Sequence, residues 1–474
     1  MEKQKRSWGR TLLLAFQHVF AMFGATVLVP YLTGLPVSVA LFTAGVGTWI
    51  FHSVTRFKVP VFLGSSFAFI TAIQSVCIAG SEQLSLLSKN DCLVPLIHGN
   101  FEAISEKAVS LGISADLLPT LQQAYLDRIP YALGGLLVAG ALYLVLSLLI
   151  KIFGVQRIKS FFPPVVTGPM IVVIGLTLAP SAINNIISVG NIGWLVALAV
   201  ILTMIIVSVF AKGIFKLVPI LFGIVVGYAV CMVIPSGNAG AVNTVGLVDF
   251  SSLVNSSIIE LPKFTLPRFE WTAILAIAPL ALVTFMEHIG DITTNGSVVG
   301  QDFTTDPGLH RTLLGDGLAT MFAALVGGPA NTTYSENTSV LAVTKNYDPF
   351  NIRLAAIFSV AFSFIGWFNG FIQTIPAVVM GSVSLFLYGM IASVGIRTIA
   401  SASIDFSNSR NLIIVSLMLV MGLGGAAFTI ALANGATLVL SGMALSAIVG
   451  IVLNKALPEN LEKRSKKQTR DENN

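Results

Sequence analysis

The chain has 474 residues, of which 55% are hydrophobic and only 10% are charged, and its net charge is +5. A soluble globular protein carries about 25% charged residues, so this composition excludes an ordinary soluble enzyme or binding module and indicates a polytopic membrane protein. The positive charge lies in turns and terminal segments rather than in one basic patch, and it therefore predicts no nucleic-acid partner.

Apolar segments recur along almost the whole chain. A membrane-spanning helix needs about 20 apolar residues, and the sequence predicts fourteen spans, which are 11–31, 36–53, 60–79, 130–151, 163–185, 189–211, 214–234, 271–295, 312–328, 332–345, 352–369, 372–394, 411–426 and 428–453. Two long polar connections, 80–129 and 235–270, separate some of them. The first span is expected to be a retained helix, because no cleavage site of small residues follows it.

The basic residues predict how the chain is oriented. Of the 27 Lys and Arg residues, 22 lie in the N-terminal segment 1–10, in turns on the same side of the membrane, or near the C-terminus. Basic loops face the cytoplasm, so both termini are expected to be cytoplasmic and both long connections to lie outside. The charged tail 458–474 is expected to be disordered. The three cysteines show neither a metal-binding spacing nor a disulfide framework.

Three pairs of short motifs indicate an internal repeat. Gln17-His18 corresponds to Glu287-His288, SSFA (65–68) to TTYS (332–335), and PPVVTG (163–168) to PAVVMG (376–381). The members of each pair are seven spans apart, and because seven is odd, the two halves are predicted to have opposite orientations. Inverted repeats are typical of secondary transporters. The alternative is a chance recurrence of small and polar motifs, which are common in membrane helices.

Three acidic residues fall within predicted spans: Glu287, Asp291 and Glu336; Asp316 is placed near the cytoplasmic end of its span. A charge in the middle of the bilayer costs at least about 2.5–3.5 kcal/mol, and no Lys or Arg is available there as a partner. We therefore expect these carboxyl groups to face a polar cavity, to be protonated, or both. An acid in this position is a functional candidate by default.

Glu287 and Asp291 are four residues apart and would share one face of a helix. His288 would point elsewhere and pack by hydrogen bonding between helices rather than bind a ligand. The alternative for Glu287 is a buried carboxylate held by backbone amides.

Two of the spans are predicted to be broken. Gly327-Gly328-Pro329 interrupts the helix before NTTYSENTS (331–339), and the Thr-Thr-Tyr run favours extended backbone. The segment LGSSFAF (63–69) is expected to behave in the same way. Irregular backbone at membrane depth is tolerated only inside protein or beside a water-filled cavity. Two half-helices would then point their N-termini at a shared site, which suits a small, flat, neutral ligand with N–H and C=O groups.

Several motifs resemble those of bacterial uracil permeases in the nucleobase–cation symporter-2 family, also called nucleobase–ascorbate transporters. They are QHVFAMFGATVLVP (17–30), LGSSFAF (63–69), EHIGD (287–291), DPGLHRTLLGDGLAT (306–320), NTTYSEN (331–337) and GSVSLFLYGMIASVGIR (381–397). The resemblance implies an all-α polytopic membrane fold with about 14 spans in two inverted seven-span repeats, and short strands in spans 3 and 10.

The resemblance also implies a division into domains. After the N-terminal segment 1–10, a core domain comprises 11–151 (spans 1–4, with the outer connection 80–129) and 271–369 (spans 8–11). A gate domain comprises 163–234 (spans 5–7) and 372–453 (spans 12–14). The outer connection 235–270 joins the two halves, and the tail is 458–474. The core domain would move against the gate domain, and the protein would be a homodimer in the cell membrane.

The implied function is proton symport of a nucleobase, most simply uracil, without a metal or other cofactor; Na+ is the alternative coupling ion. Substrate-binding residues would be the carboxyl groups of Glu287 and Glu336, the backbone at Phe67 and Ser335, and Tyr388 from the gate domain. Glu287 is the expected proton-coupling acid, and Asp291 is its rival. The supporting residues would be His18, Ser66, Tyr334 and Asn337.

The sequence departs from this family pattern at three positions. Ser335 and Ser339 stand where glycine is expected, and Asp291 stands where uracil permeases have histidine. Aspartate at that position is typical of xanthine and urate carriers, although purine carriers often have glutamine in place of Glu336. A purine symporter is therefore the alternative within the family.

Other functional classes fit the sequence less well. A nucleotide-driven pump needs a phosphate-binding loop, and the chain contains no Gly-Lys dipeptide. A channel needs a continuous polar lining, and an enzyme needs a nucleophile and base or a metal cluster beside the acids. A receptor that binds a nucleobase without moving it is the remaining alternative.

Overall fold

The computed structural model describes residues 8–90, 92–213, 215–235, 244–431 and 437–458. The helices of the first half are α1 Trp8–Thr33, α2 Val37–Val54, α3 Ile70–Ile78, α4 Glu82–Lys89, α5 Leu93–Ile97, α6 Glu102–Ser110, α7 Leu118–Leu126, α8 Ile129–Phe153, α9 Val155–Lys159, α10 Pro164–Thr177, α11 Ala179–Ile187, α12 Ile192–Phe210, α13 Pro219–Val233 and α14 Ser251–Val254. The helices of the second half are α15 Trp271–Ile277, α16 Leu280–Val299, α17 Leu309–Val326, α18 Ser335–Thr344, α19 Pro349–Ser363, α20 Gly366–Gln373, α21 Ala377–Ser401, α22 Ser409–Leu423 and α23 Gly442–Ala456.

The described part of the chain also contains six short strands: β1 Leu63–Ser65, β2 Thr244–Val245, β3 Val248–Asp249, β4 Asn331–Thr333, β5 Phe428–Ala431 and β6 Thr437–Leu440. They form three separate two-stranded pairs. The tail 458–474 is expected to be disordered, but apart from Pro458 it lies outside the described part of the chain. Residues 1–7 also lie outside the described part.

Each segment that the sequence predicts to span the membrane contains helix, and the connections hold the further helices α4 to α7, α9 and α14. Among the described residues, seven helical stretches are long and apolar enough to cross a bilayer, including α1, α2, α12 and α21. The shorter apolar helices include α13, α19, α22 and α23. The predicted all-α polytopic membrane fold is confirmed, and so are the short strands in the third and tenth predicted spans.

Two predicted spans differ in the structure. The span 428–453 is not helical from its start, because β5 and β6 pair as an antiparallel hairpin and α23 begins only at Gly442. The β-branched residues of these strands explain the difference, since they favour extended backbone. The span 352–369 is broken between α19 and α20, where Ile365 pairs with Ile259 of the outer connection. Gly366 N donates there to Ile258 O at 3.1 Å.

The two broken spans meet each other in an antiparallel strand pair. Leu63 pairs with Thr333 and Ser65 pairs with Asn331. The pairing is extended at both ends, since Ser66 N donates to Ala330 O at 2.8 Å and Tyr334 N donates to Phe62 O at 3.1 Å. A local twofold axis relates these two hydrogen bonds. Tyr334 lies 268 positions after Ser66, and Ala330 lies 268 positions after Phe62, so each bond is the equivalent of the other. The register predicted from SSFA and TTYS is therefore wrong by one residue, and Ser66 corresponds to Tyr334.

The helix packing repeats in the same twofold manner. The packing of α2 on α19 corresponds to that of α17 on α8, and the packing of α12 on α13 corresponds to that of α22 on α23. The packing of α12 on α21 likewise corresponds to that of α22 on α10. Helices α10 and α21, which begin within the repeated Pro motifs, pack on each other. An inverted repeat of seven spans explains all of these pairs.

Glycine allows α10 and α21 to approach closely. A Cβ on Gly175 of α10 would lie 2.5 Å from Tyr388 O, and one on Gly395 of α21 would lie 2.7 Å from Gly168 O. Small residues at such contacts are typical of helix packing in membranes. These packings fall within the predicted core domain or within the predicted gate domain; the division into moving domains stays a prediction.

The outer connection 80–129 is folded rather than irregular. Its helices α4 to α7 pack in one apolar cluster with residues of α3 and α8. Polar groups of this region also satisfy the last carbonyl groups of α1: His98 Nε2 contacts Tyr31 O at 2.8 Å, and Tyr125 Oη donates to Thr33 O at 3.1 Å. Helix C-termini leave such carbonyl groups unsatisfied, so these contacts attach the connection firmly to α1.

Candidate functional site

The strand crossing brings two helix N-termini and the intramembrane acids together. A short 3₁₀ turn begins at Phe67 directly after β1, and α18 begins at Ser335 directly after β4. Glu336 lies in the first turn of α18 and is half-buried. Glu287 and Asp291 lie on α16, which packs against both α18 and β4. The structure therefore assembles the predicted binding residues of both halves around one crossing.

Like Asp316, Glu287 is an intramembrane acid with a buried oxygen that has no hydrogen-bond partner among the described residues. In Glu287 this oxygen is Oε2. Since a buried carboxylate oxygen without a partner is costly, this atom is suited to receive a proton or a ligand donor. The alternative for Glu287 was a carboxylate held by backbone amides, but no described backbone amide donates to Oε2.

Asp291 has a different environment, although it lies one turn away on the same helix. Its Oδ2 accepts a hydrogen bond from Thr333 Oγ1 at 2.9 Å, and its Oδ1 accepts one from Ser335 Oγ at 2.6 Å. Both carboxylate oxygens are therefore used within the protein.

The predicted supporting residues join α1 to the crossing. Asn337 Nδ2 donates to His18 O at 3.0 Å and contacts His18 Nδ1 at 3.2 Å. Tyr334 Oη donates to Ser65 O at 2.9 Å, with Thr26 Oγ1 at 3.3 Å. Ser66 Oγ is buried without a partner among the described residues, while its backbone N–H takes part in the strand pair. These contacts fix the half-helices relative to α1.

Tyr388 reaches the crossing from α21. Its ring meets that of Phe67 edge to face, with the ring centroids 6.0 Å apart. The Tyr388 hydroxyl is buried without a hydrogen bond of ordinary geometry to any described residue. Phe67 belongs to the predicted core domain and Tyr388 to the predicted gate domain, so this contact lies where the two would separate.

A second buried polar group lies behind Glu287. Asp316 is fully buried; its Oδ2 lies 3.0 Å from His288 Nδ1, and its Oδ1 has no hydrogen-bond partner among the described residues. His288 Nε2 lies 3.0 Å from Thr312 Oγ1, which itself donates to Leu309 O at 3.0 Å. We therefore infer that Nε2 carries a proton, and that Asp316 and Nδ1 share another. His288 packs between helices as the sequence predicts.

The sequence reasoning missed Asp316 and Thr333 as parts of the buried polar network. Asp316 was assigned by its distance from the span end, but Thr312 lies four residues earlier on the same face of α17, and such a polar pair indicates a buried face. No cluster of His, Cys, Asp and Glu suited to a metal ion occurs among the described residues.

A broken pair of spans crossing beside buried acids is the arrangement of a secondary transporter. The chain matches the permease family over residues 9–430, and it belongs to that family. It is 39% identical to the uracil permease of Bacillus caldolyticus, over 95% of this chain and 92% of the relative. It is 35% identical to the uracil permease of Escherichia coli K12, over 94% and 90% of the two chains. It is 32% identical to the putative pyrimidine permease RutG of the same organism, over 97% and 92%.

Solved structures share the fold at low sequence identity. The chain resembles SLC26A9 with a TM-score of 0.66 and 12% identity, covering 96% of this chain and 66% of that one. It resembles the transmembrane domain of the cyanobacterial bicarbonate transporter BicA with a TM-score of 0.55 and 12% identity, covering 95% and 98%. The protein is thus a multi-pass membrane permease and not an enzyme.

His288→Leu tests the buried pair with Asp316. The substitution leaves Asp316 without its partner, and breaking a buried ion pair costs about 3–5 kcal/mol, so the melting temperature of the purified protein should fall markedly. Adding Asp316→Asn removes the unpaired charge and should restore part of the loss. His310→Leu is the control, because His310 lies near the start of α17, the helix of Asp316, but outside the pair. An unchanged melting temperature in His288→Leu would contradict the assignment.

Proposed function

We propose that the protein imports a nucleobase, with uracil as its preferred substrate, by proton symport through alternating access. The observation that carries the proposal is the antiparallel crossing of β1 and β4 beside Glu287 and Glu336, with Glu287 Oε2 left without a partner. Relatives named uracil permease align over almost the whole chain and support the choice of uracil.

The crossing offers complementary groups to a nucleobase. Glu336 would accept a ring N–H, since a carboxylate is an acceptor for such donors. Backbone groups at Phe67 and Ser335, where helices begin without side-chain caps, would bind the ring carbonyl and N–H groups. The aromatic rings of Phe67 and Tyr388 would cover the flat faces of the ligand. A carrier of this kind binds its ligand from both repeats at the midplane.

Glu287 is our candidate for the proton site. No Lys or Arg lies in the predicted spans near it, and neutralising an acid at this depth removes the cost of a buried charge. A protonated Glu287 can donate a hydrogen bond to a ligand carbonyl, which would couple the proton to the nucleobase. A cation such as Na+ at the same carboxylate is the alternative.

Transport would require the core domain to move against the gate domain. The Phe67–Tyr388 contact is the point at which a ligand bound to the core domain would meet the gate domain. We further propose that the protein works as a homodimer in the cell membrane, with both termini in the cytoplasm, because the basic turns predict this orientation.

Uptake by the reconstituted protein tests this function. In proteoliposomes with an imposed inward proton gradient, labelled uracil should accumulate above its external concentration, and unlabelled uracil should compete better than xanthine, guanine or urate. Binding without accumulation would indicate a receptor, and stronger competition by xanthine would indicate the purine alternative; either result contradicts the proposal.

Glu336→Gln tests the binding role of this acid. The substitution keeps the shape of the side chain but removes its charge, and hydrogen bonds to charged groups contribute about 1.5–3 kcal/mol, so the affinity for uracil should fall about tenfold or more. Glu260→Gln in the outer connection, where Glu260 pairs with Lys263 at 3.7 Å, is the matched control and should bind normally. Unchanged uracil binding by purified Glu336→Gln would refute the assignment.

Glu287→Gln tests the proton role. The amide imitates the permanently protonated acid, so the variant should still exchange labelled for unlabelled uracil across the membrane, but it should no longer concentrate uracil under a proton gradient. Asp291→Asn is the comparison and should retain concentrative uptake. If Glu287→Gln concentrates uracil and Asp291→Asn does not, the proton site is Asp291.

A further inference from the structure

Asp291 and Glu287 occupy one face of α16 but differ in how their oxygens are used. Both oxygens of Asp291 accept hydroxyl hydrogen bonds, from Thr333 and Ser335, whereas Glu287 Oε2 has no partner among the described residues. The 2.6 Å bond from Ser335 has the length typical of a hydroxyl donating to a carboxylate. A group with both oxygens engaged inside the protein is placed to hold structure rather than to bind a ligand.

The two hydroxyl donors lie on either side of a single residue where the backbone changes conformation. Thr333 is the last residue of β4, Ser335 is the first residue of α18, and Tyr334 between them is extended, with φ −104° and ψ 116°. The Tyr334 side chain is held elsewhere, by Ser65 and Thr26. Asp291 therefore holds the strand end and the helix start from α16, while Tyr334 is held from the other repeat.

The junction needs such support because nothing local supplies it. Tyr334 is the N-cap residue of α18 and makes no side-chain capping hydrogen bond. Helix N-termini commonly rely on Ser, Thr, Asp or Asn at this position, and Ser335 here donates its hydroxyl to Asp291 instead. The direction in which α18 begins, and with it the position of Glu336 one residue later, therefore depends on the contact with α16 in addition to the contacts with α1.

We propose that Asp291 is a positioning residue for substrate binding, which fixes the β4–α18 junction through Thr333 and Ser335 so that Glu336 and the Ser335 backbone face the ligand. This inference rests on the proposed nucleobase transport. It assigns one task to each acid on this face of α16: Glu287 exchanges a proton, and Asp291 sets the geometry. It also makes Asp291 and Ser335 a functional pair, so that a change in one alters the consequence of changing the other.

The test is a double-mutant cycle with Asp291→Asn, Ser335→Ala and the combination, in which KM and maximal rate of uracil uptake are measured. Loss of a hydrogen bond to a charged group should raise KM about tenfold in each single variant. Ser335→Ala should add less than about twofold when Asp291→Asn is already present, because contacting residues are not additive. Concentrative uptake under a proton gradient should persist in all three variants.

Thr333 provides a conservative pair of variants. Thr333→Val keeps the shape of the side chain but removes the hydroxyl, and it should raise KM. Thr333→Ser keeps the hydroxyl and should restore a nearly normal KM. Thr344→Val removes a hydroxyl at the far end of α18, which donates to Val340 O at 2.7 Å and accepts from Asn346 N at 3.4 Å, and it is the control for the general effect of such a change on this helix.

Three results would overturn the inference: independent effects of Asp291→Asn and Ser335→Ala that multiply in the combination, a normal KM in Thr333→Val, or loss of concentrative uptake in Asp291→Asn with exchange intact.

The same cycle is also measured as melting temperature, which needs no substrate. Non-additive melting temperatures with no saturable uracil uptake by the unsubstituted protein would show that the proposed function has failed although the contact exists. Additive melting temperatures with normal uptake would show that the contact itself has failed.

Discussion

The structure depends on one constraint: backbone polar groups within a membrane must find partners inside the protein. The spans containing β1 and β4 leave the helical conformation at membrane depth, and neither could satisfy its own backbone there. They satisfy each other, through the antiparallel pairing of Leu63–Ser65 with Asn331–Thr333 and the two flanking hydrogen bonds. This pairing is possible because the two halves of the chain are inverted copies, so that equivalent segments meet head to tail.

The crossing also determines where chemistry can occur. Each strand ends where a helical turn begins, so free N–H groups and the half-buried Glu336 are directed to the same region as the acids of α16. The interior holds its acids in three different ways. Asp316 is paired with His288, Asp291 is held by two hydroxyl groups, and Glu287 retains an oxygen without a partner. Asp316 Oδ1 also lacks a partner among the described residues, but His288 holds the other oxygen of that carboxyl group, so Glu287 remains our candidate for the transported proton.

The sequence predicted much of this because its signals are local. Apolar length located the helices, Gly327-Gly328-Pro329 indicated a break, and the absence of basic partners singled out Glu287, Asp291 and Glu336. It failed where the outcome depends on distant contacts. The one-residue error in the repeat register came from matching Ser65-Ser66 with Thr332-Thr333 by residue type, whereas the hydrogen-bond pattern of the pair fixes the register. The hairpin at β5 and β6 was missed because the span was assigned from its apolar length alone, although its β-branched residues favour extended backbone.

A structure of the protein with uracil bound tests the central claim most directly. The account predicts the ring at the end of the β1–β4 crossing, with Glu336 and the backbone of Phe67 and Ser335 within hydrogen-bond distance, Glu287 at a ring carbonyl, and Asp291 still bound to Thr333 and Ser335. Uracil bound away from the crossing, or bound there through Asp291 with its hydroxyl contacts broken, would contradict it.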